Sequence, residues 1–115
     1  MSNTSEIVLS VTVDENKVPK TIHWRAPEGG VPNDTETKAF LLSLWDSNQR
    51  EALRIDLWNK NMMIDEMNDF FFQTLVALSE TYKRATNQDK IGESMKAFAM
   101  ELKIMMEEEA EKNQL

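Results

Sequence analysis

The apolar residues of this chain change period once, and that change divides it into a β half and an α half. From Ile7 to Trp58 large apolar side chains recur largely at every second position; from Ile64 onward they recur at three- and four-residue steps. A period of two buries one face of a strand, and a period near 3.6 buries one stripe of a helix. Neither half can take the other's structure without scattering its apolar side chains into water. The expected fold is therefore α+β: a four-stranded antiparallel sheet of two hairpins, followed by two C-terminal helices packed on one face. At 115 residues the chain has the length of one domain with one modest core. Residues 1–115 are read as that single domain, with strands over about 5–25 and 38–59 and helices over about 64–86 and 89–111.

In the first hairpin Ile7, Leu9, Val11 and Val13 alternate with Glu6, Val8, Ser10 and Thr12. After the polar break Asp14–Lys17, the residues Val18, Ile22 and Trp24 alternate with Thr21, His23 and Arg25. Folding about Glu15-Asn16 sets Val13 opposite Val18, Leu9 opposite Ile22 and Ile7 opposite Trp24, with all the large side chains on one face. Pro19 has no N–H for a ladder, which points to an edge strand or a late start. Ala26–Asp34 holds two of the three glycines and two of the three prolines and reads as a loop. In the second hairpin Phe40, Leu42 and Leu44 share a face with Leu53, Ile55 and Leu57 across the turn Asp46–Glu51. Leu44 is expected opposite Ile55 and Leu42 opposite Leu57, which would set Trp45 beside Arg54 and Leu41 beside Trp58.

The first helix carries Ile64, Met67, Phe71, Leu75, Leu78 and Tyr82, flanked by Phe70 and Ala77 on one side and Phe72 and Val76 on the other. So wide a stripe needs two partners, the sheet and the second helix. The second helix shows a narrower stripe of Ile91, Met95, Phe98, Leu102, Met105 and Met106, with Ala97, Met100 and Ile104 nearly opposite. Ala85–Gln88 makes the turn, with Thr86 or Asn87 as N-cap candidates.

The chemical inventory is thin. There is no Cys, so disulfides, zinc thiolates and a cysteine nucleophile are all excluded. The single histidine, His23, has no second nitrogen or sulfur ligand to make a metal site with. It could face Ser10 across the hairpin, but a general base also needs an orienting acid. Three glycines in the chain supply no phosphate-cradling loop. Asp56, on the open sheet face beside Arg54 and Trp58, is accounted for by an ion pair with Arg54 or Arg25. Glu107–Glu109 lacks the spacing of a calcium loop and reads as a solvated helix end. No catalytic residue, metal ligand or cofactor is expected, and the chain is read as a non-enzyme.

Thirteen Lys and Arg against twenty Asp and Glu give a formal net charge of −7, which repels nucleic acid and anionic lipid alike. Met1–Asp14 lacks the basic start and apolar run of a signal peptide, and no stretch is long and apolar enough to span a bilayer. The expected location is the cytoplasm. What remains is apolar surface in an unexpected place: Leu41, Trp45 and Trp58 share the sheet face opposite the core with Arg54 and Asp56. Tryptophan among arginines is the composition of protein–protein hot spots, so Leu41, Trp45, Arg54, Asp56 and Trp58 are the candidate interaction residues. The two indoles are expected close together on neighbouring strands, with Arg54 against one of them. A homo-oligomer is compatible with the same surface.

Several blocks resemble the gliding-motility-associated GldC family of Bacteroidetes. They are Asp14–Pro19 with Ile22 and Trp24, Leu42–Asp46, Ala52–Trp58, Asp65–Met67, Gln73–Leu75 and Arg84–Thr86, and the likeness covers roughly Ser5 to Phe98. The resemblance implies a soluble accessory protein of the gliding apparatus, working beside membrane components that include an ABC transporter and a secretion system. It implies no catalytic residues. Two readings follow: an adaptor that grips a protein partner of the motility or secretion machinery, and a SecB-like holdase for exported clients, whose layout of an acidic four-stranded sheet and two helices is a fold-level analogy. A small-ligand binder or enzyme would need a pocket between sheet and helices.

Overall fold

The computed structural model describes residues 3–113. The chain divides into two compact units, with the boundary in sequence between Met62 and Met63. The first holds strands β1 (Val8–Val13), β2 (Pro19–Ala26), β3 (Val31–Thr37), β4 (Ala39–Asp46) and β5 (Glu51–Trp58); the second holds helices α1 (Ile64–Thr86) and α2 (Asp89–Lys112). Among the described residues no helix is long and apolar enough to cross a membrane.

The α+β class and the antiparallel pairing are as the periodicity predicts, but the four-stranded sheet is not. Among the described residues there are two sheets, β1-β2-β3 and β4-β5. The difference lies in Ala26–Asp34, which is not a loop throughout: a 3₁₀ turn over Pro27–Gly29 ends at Gly30, whose φ of 86° favours glycine, and β3 begins at Val31. Pro32, Asn33 and Asp34 hide this strand from its composition. They sit where the β2–β3 ladder is irregular, between the pairs Trp24–Thr35 and Ala26–Val31, and a bulge is where a strand tolerates such residues. Once β3 occupies the free side of β2, the second hairpin cannot pair there and becomes its own ribbon. Pro19 is the first residue of β2, the late start that its missing N–H allows, and β2 is the central strand of its sheet, not an edge.

Both hairpin registers differ from expectation by two residues. In β1–β2, Leu9 pairs with Trp24 and Val11 with Ile22, and in β4–β5, Leu42 pairs with Ile55 and Leu44 with Leu53. A slip of two leaves every side chain on its expected face, so facial purity alone cannot distinguish the registers. The turns decide. Asp14 Oδ1 accepts from the N–H groups of Asn16 and Val18, at 2.8 and 3.0 Å, and Lys17 takes a φ of 63°, lengthening the turn by a bulge at Val13. Asp46 does the same for Asn48 and Gln49, with Arg50 at φ 53°.

Ile22, fully buried, is the centre of the first sheet, on the face it shares with Leu9, Val11 and Trp24. Ile7, expected in that core, lies ahead of β1 and is exposed. The ribbon's expected core face is buried only near its base: Phe40, Leu42 and Leu57 are half-buried, whereas Leu44 is 57% and Ile55 50% exposed. A two-stranded ribbon lacks the neighbours to bury a whole face.

Lys60 Nζ lies 2.9 Å from Asp14 Oδ2, tying the end of the ribbon to the first turn. That hydrogen bond, with the Val18 N–H next, holds the Asp14 carboxyl below the ordinary aspartate range against the opposing effect of desolvation. A group so depressed favours the folded state fully above the unfolded pKa of about 3.9 and progressively less as pH falls below it. Asp14→Asn keeps an oxygen for the turn and loses the charge. It is expected to be less stable than the native chain at pH 7, with the gap closing below about pH 3 in paired urea titrations.

In the helical unit α1 closes at Asn87, in the left-handed conformation with φ 59°, its N–H donating to Lys83 O at 2.8 Å. Asn87 is thus the C-cap of α1, and neither it nor Thr86 is the N-cap of α2. That position is Gln88, which makes no side-chain cap, while Thr86 Oγ1, at the last residue of α1, accepts from Gln88 N–H at 3.2 Å. The helices run antiparallel along a seam of small residues: Ser79 and Ala99 have no exposed surface, Gly92 is buried, and the Ser79 hydroxyl is satisfied by donating to Val76 O at 2.6 Å. The expected α2 stripe is therefore displaced by one position. Met95, Leu102 and Met106 are half-buried, but Ile91, Phe98 and Met105 point away. Small side chains let the two backbones approach closely, and that gain does not register in a count of large apolar residues.

Gly92 lies against the Lys83 side chain of α1. A Cβ there would meet the Lys83 stem, with Cδ 3.2 Å away and Cγ nearer still. Lys83 pairs with Glu93 and Glu80, and Glu93 holds the lysine above its ordinary pKa while being held below its own. The stem is thus not free to swing aside. Gly92→Ala gains about 1 kcal/mol of helix propensity but incurs about 1–3 kcal/mol of overpacking, for a net loss of about 1 kcal/mol. In a Lys83→Ala background the same substitution is expected to become stabilising, which a double-mutant cycle of urea melts measures directly.

Candidate functional site

The β4–β5 ribbon gathers all five candidate residues on one face. Cross-strand pairs share a face, and the register pairs Ala39 with Trp58, Leu41 with Asp56, Ser43 with Arg54 and Trp45 with Ala52. Alternation within AFLLSLWD and EALRIDLW makes both segments strands, and the Asp46-capped turn sets which of their residues meet.

The middle of the face is a closed charge pair. Arg54 and Asp56 are two residues apart on one strand and so lie on the same side. Arg54 Nη2 donates to Asp56 Oδ1 at 2.6 Å and Nε donates to Oδ2 at 3.1 Å. These bonds raise the guanidinium pKa above its already high ordinary value. Asp56 is thus accounted for by Arg54, one of the two partners expected; Arg25 instead reaches Asp34 at 3.5 Å. The pair is solvent-exposed and contributes little to stability. It presents a fixed donor–acceptor pattern instead.

Around it the geometry departs from expectation. Trp45 and Trp58 are not neighbours: one pairs with Ala52 beside the turn and the other with Ala39 at the base. Six strand positions separate their rows, about 20 Å. Arg54 is engaged by Asp56, and among the described residues it makes no cation–π contact with either indole. Arg50, a residue of the polar turn, sits over the Trp45 ring at 5.9 Å, where its backbone is left-handed. Trp45 is 61% and Trp58 56% exposed, and Leu41 is half-buried. The face thus carries an aromatic anchor at each end and a bidentate ion pair between them. The reverse face of the same ribbon adds exposed Leu44, Leu53 and Ile55, which sequence reasoning assigned to the core.

His23 has Ser10 on one side and Glu36 on the other across β1-β2-β3. Glu36 entered this row only through the unforeseen β3. Among the described residues no hydrogen bond joins the His23 side chain to either, and no group of three His, Cys, Asp or Glu is placed to hold a metal ion.

A family model described as gliding motility-associated protein GldC-like matches residues 19–108. That span includes the whole ribbon and nearly all of both helices. No curated protein and no solved structure matches the chain.

Proposed function

The chain belongs to the GldC-like family of gliding motility-associated proteins, and from that premise we propose that it is a non-catalytic cytoplasmic adaptor that binds a protein partner of the gliding or linked secretion apparatus through the Trp45–Trp58 face of the ribbon. One observation carries this reading: two indoles more than half exposed, on a single face, with a preformed Arg54–Asp56 pair between them. A monomer gains nothing from holding two tryptophans in water. At an interface, an indole that fills a pocket is among the strongest anchors known. The bidentate ion pair between them adds orientation, because its donors and acceptors are already aligned for a partner's peptide groups.

The exposed reverse face favours one further reading, a holdase for unfolded export clients. Stoichiometry separates the two: an adaptor retains one partner at a defined site, whereas a holdase retains many through broad apolar surface. The test is replacement of the native protein in its host by Trp45→Ala/Trp58→Ala. Loss of gliding with unchanged abundance is expected, while His23→Ala glides normally. Normal gliding by the double variant would remove the reading, and loss of gliding in His23→Ala at normal abundance would reopen a catalytic one.

A further inference from the structure

We infer that one face of the α1–α2 hairpin is a homodimer interface, closed by the same face of a second copy into a four-helix bundle. Ile64, Phe71 and Leu78 on α1 and Ile91, Phe98 and Met105 on α2 are between 43% and 81% exposed. Each set repeats at intervals of seven, the spacing of a seam between packed helices. Their direction follows from the buried seam. At about 100° per residue, Phe71 and Leu78 lie about 80–100° to one side of Ser79, and Ile91 and Phe98 lie at the same angle and in the same sense from Ala99. Because the helices are antiparallel, equal senses bring both rows onto one side of the hairpin. The charged pairs Glu80–Lys83 and Glu80–Lys96 fall on the other side. The apolar face is therefore two helices wide and uncharged along most of its length.

Area and charge single out the occupant. Helices of 23 and 24 residues span about 35 Å at 1.5 Å per residue, and a pair of them about 18 Å, or roughly 650 Å² per copy. Two copies would bury about 1,300 Å², inside the range of stable specific interfaces. A second copy presents the same repeat of seven on the same flat face, and a four-helix bundle is the architecture that buries such faces reciprocally. An anionic membrane surface is disfavoured by the net charge of −7.

Light scattering and sedimentation of the full chain test this. The mass is expected at twice 13.3 kDa, with dimerisation strengthened by salt because like-charged copies repel each other. Phe71→Glu/Phe98→Glu should raise the dissociation constant about 100-fold or more, since it buries unpaired carboxylates, with helical circular dichroism unchanged. Should that variant unfold, the milder Phe98→Gln must still raise the constant measurably while folded. Met100→Glu and Ile104→Glu, on another side of α2, and Trp45→Ala/Trp58→Ala, on the ribbon, should leave the dimer intact. A single-chain mass for the native protein at all concentrations overturns the inference and leaves the face to a different partner. So does a dimer that survives the glutamates, or one lost equally on Met100→Glu.

Discussion

Ile22→Ala is expected to lower the free energy of unfolding by about 2–5 kcal/mol, the largest loss from a single truncation among the described residues. Among the described residues Ile22 is the one large apolar side chain with no exposed surface, held between Val11 and Thr37 at the centre of a three-stranded sheet. Truncation there forfeits both the transfer energy of the lost carbons and the contacts around the cavity they leave. Leu44→Ala removes carbons that are already more than half in water, at the end of the ribbon beside its turn, and should cost below about 1 kcal/mol. Paired urea melts decide it. Equal losses at the two positions would mean that the ribbon's reverse face is as buried as the first sheet's core.

That contrast also marks how far the sequence reaches. Period two made Ile22 and Leu44 equivalent, because alternation reports which face a side chain takes and not how many strands cover that face. The covering depends on β3, and β3 is hidden by Pro32, Asn33 and Asp34, residues that a bulge accommodates and a composition count penalises. Helix limits were legible because the period and the acids Asp65 and Glu66 of the first turn agree. The helix seam was not, since Gly92, Ser79 and Ala99 act by being small. Both hairpins were legible in face and illegible in register, the latter resting on the side-chain caps Asp14 and Asp46 and on two left-handed residues, Lys17 and Arg50.

Trp45→Ala and Trp58→Ala are each expected to weaken partner binding by about 2 kcal/mol or more, roughly 30-fold, with melts close to the native chain. Their separation of about 20 Å along the ribbon makes a second result informative. Two anchors that far apart, with no shared neighbour, should lose affinity additively if one partner spans the face. The double variant would then lose about 4 kcal/mol, close to a thousandfold. A double variant no worse than Trp58→Ala alone would confine the contact to the base of the ribbon. Arg54→Ala, which leaves Asp56 as an exposed carboxylate without its guanidinium, should cost less than either indole and reduce selectivity more than affinity.

All five members of this face were legible as residues sharing one side of a strand pair. Their arrangement was not: the slip of two residues moved Trp58 from beside Leu41 to beside Ala39 and brought Arg50, instead of Arg54, to the Trp45 ring. Partner binding requires the face to act as one surface, and quantitative affinity purification from the native host measures that most directly. Tagged native protein should retain one partner at near-equal molar amount, the Trp45→Ala/Trp58→Ala chain should lose it at equal abundance and equal melting temperature, and Leu44→Ala should keep it. Retention of the same partner by the double tryptophan variant, or recovery of many unrelated unfolded proteins in place of one, would contradict it.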